Sequence, residues 1–213
     1  MTDNQPMDGS AAQRVGEVVE SASHRFQAQC YQLYQAPPLG SLVSVGGQGE
    51  VGGGSPRVYG VLTGVDTQGL EPGRPVIARG AEAQREEDIY RENPQLEHLL
   101  CTRFEASVVG YESDGFFIHH LPPEPPRIHA FVHSCTPRQV MEFTRTPGFL
   151  DLLMASGGGS QAVSDEVVAS CLRLASVHHP DPRSFLVGSG KVLALLLASE
   201  PPRVNAMLRR LSP

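Results

Sequence analysis

The stretch from Val15 to Tyr111 breaks into short alternating segments separated by Gly- and Pro-rich turns, and this constrains the fold more than any other feature of the 213-residue chain. Val15–Ser21, Arg25–Tyr31, Leu42–Gly46 and Val58–Val65 follow in quick succession. In the second of these, Phe26, Ala28 and Cys30 alternate with Arg25, Gln27 and Gln29, the period of a strand buried on one face. Pro37, Pro38 and Gly40 turn the chain into Leu42–Val45. A charged insert, Arg85–Leu100, precedes the strand Arg103–Gly110. Thr102–Gly110 and Gly115–His119 pair as a hairpin across Tyr111–Asp114, and a proline-rich link, Leu121–Pro126, leads to a last strand, Ile128–His133. Many short strands with turn signals and no strand–helix–strand rhythm predict a small closed or nearly closed barrel.

After Cys135 the pattern changes to helices. Pro137–Thr144 and Phe149–Ala155 read as helical, and Gly157-Gly158-Gly159 breaks the chain. Ser164-Asp165-Glu166 is expected to cap a helix whose Val167, Val168, Cys171, Leu172, Leu174 and Ala175 form a broad apolar face. Ser184–Ser199 reads as another helix, and Pro201-Pro202 starts a last one, Arg203–Leu211. The expected fold is therefore α+β. Residues 1–13 read as a disordered tail and 14–135 as a barrel of about six strands with a helical insert at 81–100. Residues 136–213 read as a helical domain. Within the insert, Asn93 fits a helix cap with Pro94 at the first position, and Leu96, Leu99 and Leu100 share one face at i, i+3, i+4 as a contact helix.

Charge is divided between the two parts. Residues 1–135 carry 9 Lys+Arg against 17 Asp+Glu, a net of −8, and residues 136–213 carry 8 against 6, a net of +2. An acidic barrel is a poor holder of a phosphate backbone, so direct nucleic-acid contact is not expected of it. The four cysteines, Cys30, Cys101, Cys135 and Cys171, form no C-x-x-C pair. The first dozen residues are polar, and the most apolar segment, Val192–Ser199, is far shorter than the roughly 20 residues of a membrane span. The expectation is a soluble cytoplasmic protein with free thiols and no membrane insertion.

Motifs for chemistry are incomplete. Gly46–Gly54 holds six glycines in nine residues, but a strand follows it where a phosphate loop needs a helix N-terminus, so it reads as a flexible hairpin loop. In Gly188-Ser189-Gly190-Lys191, Phe185 stands where a P-loop needs its first glycine, and Val192 where it needs the magnesium-binding hydroxyl. That segment reads as helix-capping. His119, His129, His133 and Cys135 offer zinc-ligand chemistry, but His129 and His133 fall on a predicted strand, where residues four apart sit too far apart to chelate easily. His178-His179 fits a helix C-terminus. No cofactor is expected, and no catalytic residue is assigned.

Four segments together resemble the HAS-barrel family, the barrel shared by HerA-type DNA translocases and the catalytic subunits of rotary ATP synthases. Arg14–Glu20 resembles the opening strand. Pro38-Leu39-Gly40-Ser41-Leu42-Val43-Ser44-Val45 is similar to the second block, and Val58–Val65 to the third. Glu87–Leu96 followed by Phe104–Tyr111 resembles the charged connector and returning strand. The resemblance covers residues 14–135. Translocating members continue into an ATPase domain, whereas residues 136–213 contain no P-loop.

In that family such barrels pack side by side in assemblies, so the resemblance implies a non-enzymatic assembly or adaptor module. It would form homo-oligomers or dock a protein partner through the barrel. Gly16, Gly40, Gly60 and Gly110 are expected to serve barrel curvature, and Leu96, Leu99 and Leu100 to make contacts. The alternative is an accessory of nucleic-acid processing, binding DNA or an ATPase or nuclease partner, with Arg203, Arg209 and Arg210 as cations. A third reading is a metal-dependent enzyme using His119, His129 and His133.

Overall fold

Seven antiparallel strands realise the N-terminal alternation in the computed structural model, which describes residues 12–47, 56–71, 73, 75–155 and 161–211. They are β1 (Arg14–Ser21), β2 (Arg25–Cys30), β3 (Leu42–Val45), β4 (Arg57–Gly69), β5 (Leu100–Ser113), β6 (Phe116–Ile118) and β7 (Phe131–Ser134). The hydrogen-bonded order is β2-β1-β7-β3-β4-β5-β6, and β2 also pairs with β5, Phe26 opposite Ala106 and Ala28 opposite Phe104. Pairing therefore runs in a circuit through six strands, each hydrogen-bonded on both sides, with β6 a short arm on β5. The fourteen-residue β5 makes this possible because it spans both β4 and β2.

Side chains alternate between two cores. Val18, Phe26, Val43, Leu62, Phe104 and Val132 point into the circuit and are fully buried there. Leu42, Tyr59, Val61 and Val109 point out of it and join a second core with the helices. Both faces of β3 and of the first half of β4 are thus covered, which is why Leu42–Val45 and Val58–Leu62 are continuous buried runs rather than clean alternations. Burying a Phe or Leu side chain is worth about 1.5–3 kcal/mol, so the second core binds the helices firmly to the sheet. Residue 135 separates the strands from the last five helices along the chain, but the apolar packing runs across it.

The helices are α1 (Glu86–Glu92), α2 (Leu96–Leu99), α3 (Pro137–Thr144), α4 (Phe149–Ala155), α5 (Gln161–Ser176), α6 (Pro182–Leu196) and α7 (Pro201–Leu211). Thr136 and Gln139 form a reciprocal capping box with Pro137 in the first turn, and this fixes the start of α3. Gly40 marks where sheet and helices touch most closely. Its φ is +84°, its N–H donates to the Leu62 carbonyl, and a Cβ there would lie 2.6 Å from the backbone nitrogen of Cys171. Beside it the Ser170 hydroxyl donates to the Leu39 carbonyl at 2.7 Å.

Several boundaries differ from the sequence reading. The insert forms two short helices, and Asn93 ends α1 instead of opening α2, its side-chain amide donating to the Ile89 carbonyl at 2.9 Å. Leu100 opens β5 and does not extend the contact helix. The last strand begins at Phe131, because His129 takes a φ of +65° in a turn whose N–H donates to the Val18 carbonyl. α5 begins at Gln161, so Asp165 lies within it and does not cap it. Gly188–Lys191 lies inside α6, whose cap is Asp181, the carboxylate accepting from the Ser184 N–H at 3.0 Å. The expectations for the chain start through residue 11, for the glycine loop beyond Gly47 and for Gly157–Gly159 fall outside the described residues.

Candidate interaction surface

α6 carries Phe185-Leu186-Val187 and Val192–Leu196, runs that place apolar side chains on every face of a helix. A helix of this kind is expected to be covered all round, yet only one side is. Leu193 is fully buried against α5 and α7, whereas Val187 is 52% and Leu195 76% exposed. Between α5, α6 and α7 lies a groove of about 880 Å³ lined by Val177, Leu186, Val187, Ala194 and Leu208. Gly190 sets its depth, because a Cβ at that position would sit 2.9 Å from a methyl of Leu208 on α7.

The charged groups at this groove are Arg173, Arg183 and Lys191, and no carboxylate lines it among the described residues. Arg173 is held by Glu166 at 2.8 Å and by the Arg210 carbonyl at 2.5 Å. Arg183 and Lys191 make no salt bridge among the described residues; the nearby Asp181 carboxylate accepts from the Ser184 hydroxyl at 2.6 Å and interacts with the Arg183 charge through space. The groove is therefore apolar with positive charge and no carboxylate in its lining. The signal was present in sequence, since residues 182–199 contain no acid and only these two cations.

A second cavity of about 410 Å³ lies where sheet and helices meet, lined by Val15, Pro38, Cys135, Thr144, Cys171 and His178. Burial pushes the thiols of Cys135 and Cys171 up to about 12, from an ordinary 9.0. Such thiols are protonated at neutral pH, so neither is an activated nucleophile. All four cysteines are free.

The histidines and Cys135 named from sequence are not brought into one centre. His119 packs its ring on Phe143 and Phe149, with Nε2 3.0 Å from the Phe143 carbonyl, and burial lowers its pKa. His129 lies on the surface with Nδ1 3.1 Å from Glu17. His133 is on β7, its pKa lowered by burial and then by Arg14 and Arg57. Among the described residues no group of three His, Cys, Asp or Glu could hold a metal ion.

Leu96 is buried, and with Leu99 and Leu100 it lines a small cavity of about 120 Å³ shared with Val76 and Ile77 of the same chain. Gly16 lies against the Gln29 carbonyl, Gly60 against the ring of Phe26, and Gly110 against the Ile118 carbonyl; a Cβ would collide at each. Arg203 is bound to Asp165 and Glu200, and Arg210 to Glu166 at 3.3 Å, so of the three candidate cations on α7 only Arg209 makes no ion pair among the described residues. Unforeseen from sequence is a surface cluster in which the Arg14 guanidinium sits 4.5 Å from the ring centre of Phe131 and 5.2 Å from that of Tyr31. Among the described residues no helix is long and apolar enough to cross a membrane. Comparison with protein-family models and with curated proteins finds no match for this chain.

Proposed function

We propose that this chain is a non-enzymatic docking module, in which a six-stranded HAS-type barrel carries a helical layer that receives a protein partner. The carrying observation is the apolar groove between α5, α6 and α7, whose lining leaves Val177, Val187 and Leu208 exposed. Contiguous apolar surface of this kind marks an interaction site more often than a free surface. The pairing circuit supports the barrel reading, since closing a sheet on itself removes the edges along which such strands would otherwise aggregate. The DNA-accessory reading draws less support, because Arg203 and Arg210 are engaged with carboxylates of the same chain.

A photo-crosslinking residue placed at Val187, in cells that natively make the protein, tests this. A discrete covalent adduct from Val187, absent when the residue is placed at the exposed His98 on the insert, is the expected result. Adducts from His98 alone would move docking to the barrel. No adduct from either site would remove the docking role.

A further inference from the structure

We infer that the groove between α5, α6 and α7 takes an acidic amphipathic helix of a partner protein, its apolar face on α6 and α7 and its carboxylates against Arg183 and Lys191. This rests on the docking reading above and adds the chemistry of the partner.

The walls of the groove determine the backbone of its occupant. Most of the wall is helix, and away from the helix ends the backbone groups are hydrogen-bonded within each helix. An extended segment laid across them would find no ladder to join, and its own buried N–H and C=O groups would be unsatisfied. A helix brings its hydrogen bonds with it and offers apolar side chains at i, i+3, i+4 and i+7 to Val187, Ala194 and Leu208.

Charge determines the flank of that helix. Arg183 and Lys191 are eight residues apart on α6, about 12 Å at 1.5 Å per residue, so a helix of about three turns reaches both. Neither makes a salt bridge among the described residues, Asp181 acts on Arg183 only through space, and no acid lines the groove. A basic helix would place like charges side by side there, whereas an acidic one pairs with both.

The remaining occupants fit less well. A small amphiphile is bound where most of its surface is enclosed, but of the residues lining this groove Val187 is half exposed and Val177 two-thirds exposed. The acidic helix of a second copy, α1, is already engaged: Tyr90 hydrogen-bonds Tyr34, and Ile89 packs where a Cβ on Gly80 would be.

The test is fluorescence anisotropy of labelled 14-residue peptides against the full chain. One peptide carries Leu at helical spacing with Glu on its outer positions, the second has Lys in place of Glu, and the third scrambles the first. We expect saturable binding of the Glu peptide, weakened by salt, and about tenfold tighter than the Lys peptide, the equivalent of about 1.4 kcal/mol. The double variant R183E/K191E should reverse that order, and V187D should abolish binding of both. Both substitutions are at exposed positions, and circular dichroism confirms that each variant is folded. Equal binding of the Glu and Lys peptides overturns the charge assignment while leaving a docking groove. Equal binding of the scrambled peptide overturns the amphipathic helix. No binding of any peptide, with a Val187 adduct at twice the chain mass, overturns the inference in favour of a second copy. No binding and no adduct overturns the docking reading as well.

Discussion

Arg203 of α7 donates through Nη2 and Nε to the carboxylate of Asp165 in α5, at 2.8 Å and 3.0 Å to Oδ1 and 3.3 Å to Oδ2. The two side chains are 18% and 7% exposed, so this is an ion pair largely withdrawn from water. Removing one member of such a pair leaves the other charge buried and typically costs about 3–5 kcal/mol. Glu200, 3.3 Å from Arg203, retains part of the pairing. Asp165→Ala is therefore expected at the low end, about 3 kcal/mol, and Asp165→Ala with Arg203→Met should recover most of the loss. Chemical denaturation of the three proteins checks it, and a double variant as unstable as the single would show that the pair is not what joins α5 to α7.

Gly40 joins the sheet to α5. Its φ of +84° disfavours any side chain, and a Cβ would press on the backbone of Ser170 and Cys171, which cannot swing aside as a flexible side chain could. Gly40→Ala should lower stability by about 2–3 kcal/mol, combining left-handed backbone strain with overpacking. At about 2–4 °C per kcal/mol for a chain of this size, a fall in Tm of less than about 3 °C would contradict the close approach.

The buried acids predict a one-sided pH profile. Cys135 and Cys171 are pushed up to about 12 and Cys30 to about 11, all by burial, and Tyr59 is raised by burial and by Glu112. These groups are neutral when protonated, so the folded chain keeps protons that the unfolded chain releases. Their stabilisation is complete below the ordinary thiol value of 9.0 and is lost as pH rises from there toward the native values. Unfolding free energy from these groups should be level between pH 7.5 and 8.5 and fall above 9, and Cys171→Ala should flatten that fall. An unchanged slope in the variant would mean that Cys171 does not contribute.

Gly188 is an exposed glycine within α6, and a Cβ there meets nothing within 4 Å. Glycine in a helix interior costs about 1 kcal/mol relative to alanine, so Gly188→Ala should raise Tm by about 2–4 °C. A fall in Tm would show that the backbone at this position needs the freedom of glycine.

Legibility followed the length of each signal. α3 and α4 were readable to the residue because Thr136-Pro137 and the compact apolar run Phe149–Met154 act through neighbours in sequence. The strands of the N-terminal half were readable as strands, but their order was not, since the pairing of Phe26 with Ala106 depends on contacts far apart in the chain. Asn93-Pro94 misled because its cap chemistry also suits a helix end, and Asn93 was used to close α1. Asp165 misled for a similar reason: an acid near a helix start suits a cap, but a partner on α7 took the carboxylate. The groove was missed because it belongs to three helices at once, although the acid-free apolar composition of α6 hinted at it.

The strand circuit also sets an order of events during synthesis. β1 and β2 form a local hairpin, Gly16 opposite Cys30, as soon as both have emerged. The other side of β1 has to wait for β7, with Gly16 opposite Val132 on the order of a hundred residues later. Until then one flank of the first strand is an open template, at the stage when a growing chain is most exposed to pairing with its neighbours. The late arrival of Phe131–Ser134 covers that flank and the free side of β3 together, so one of the shortest strands completes the circuit.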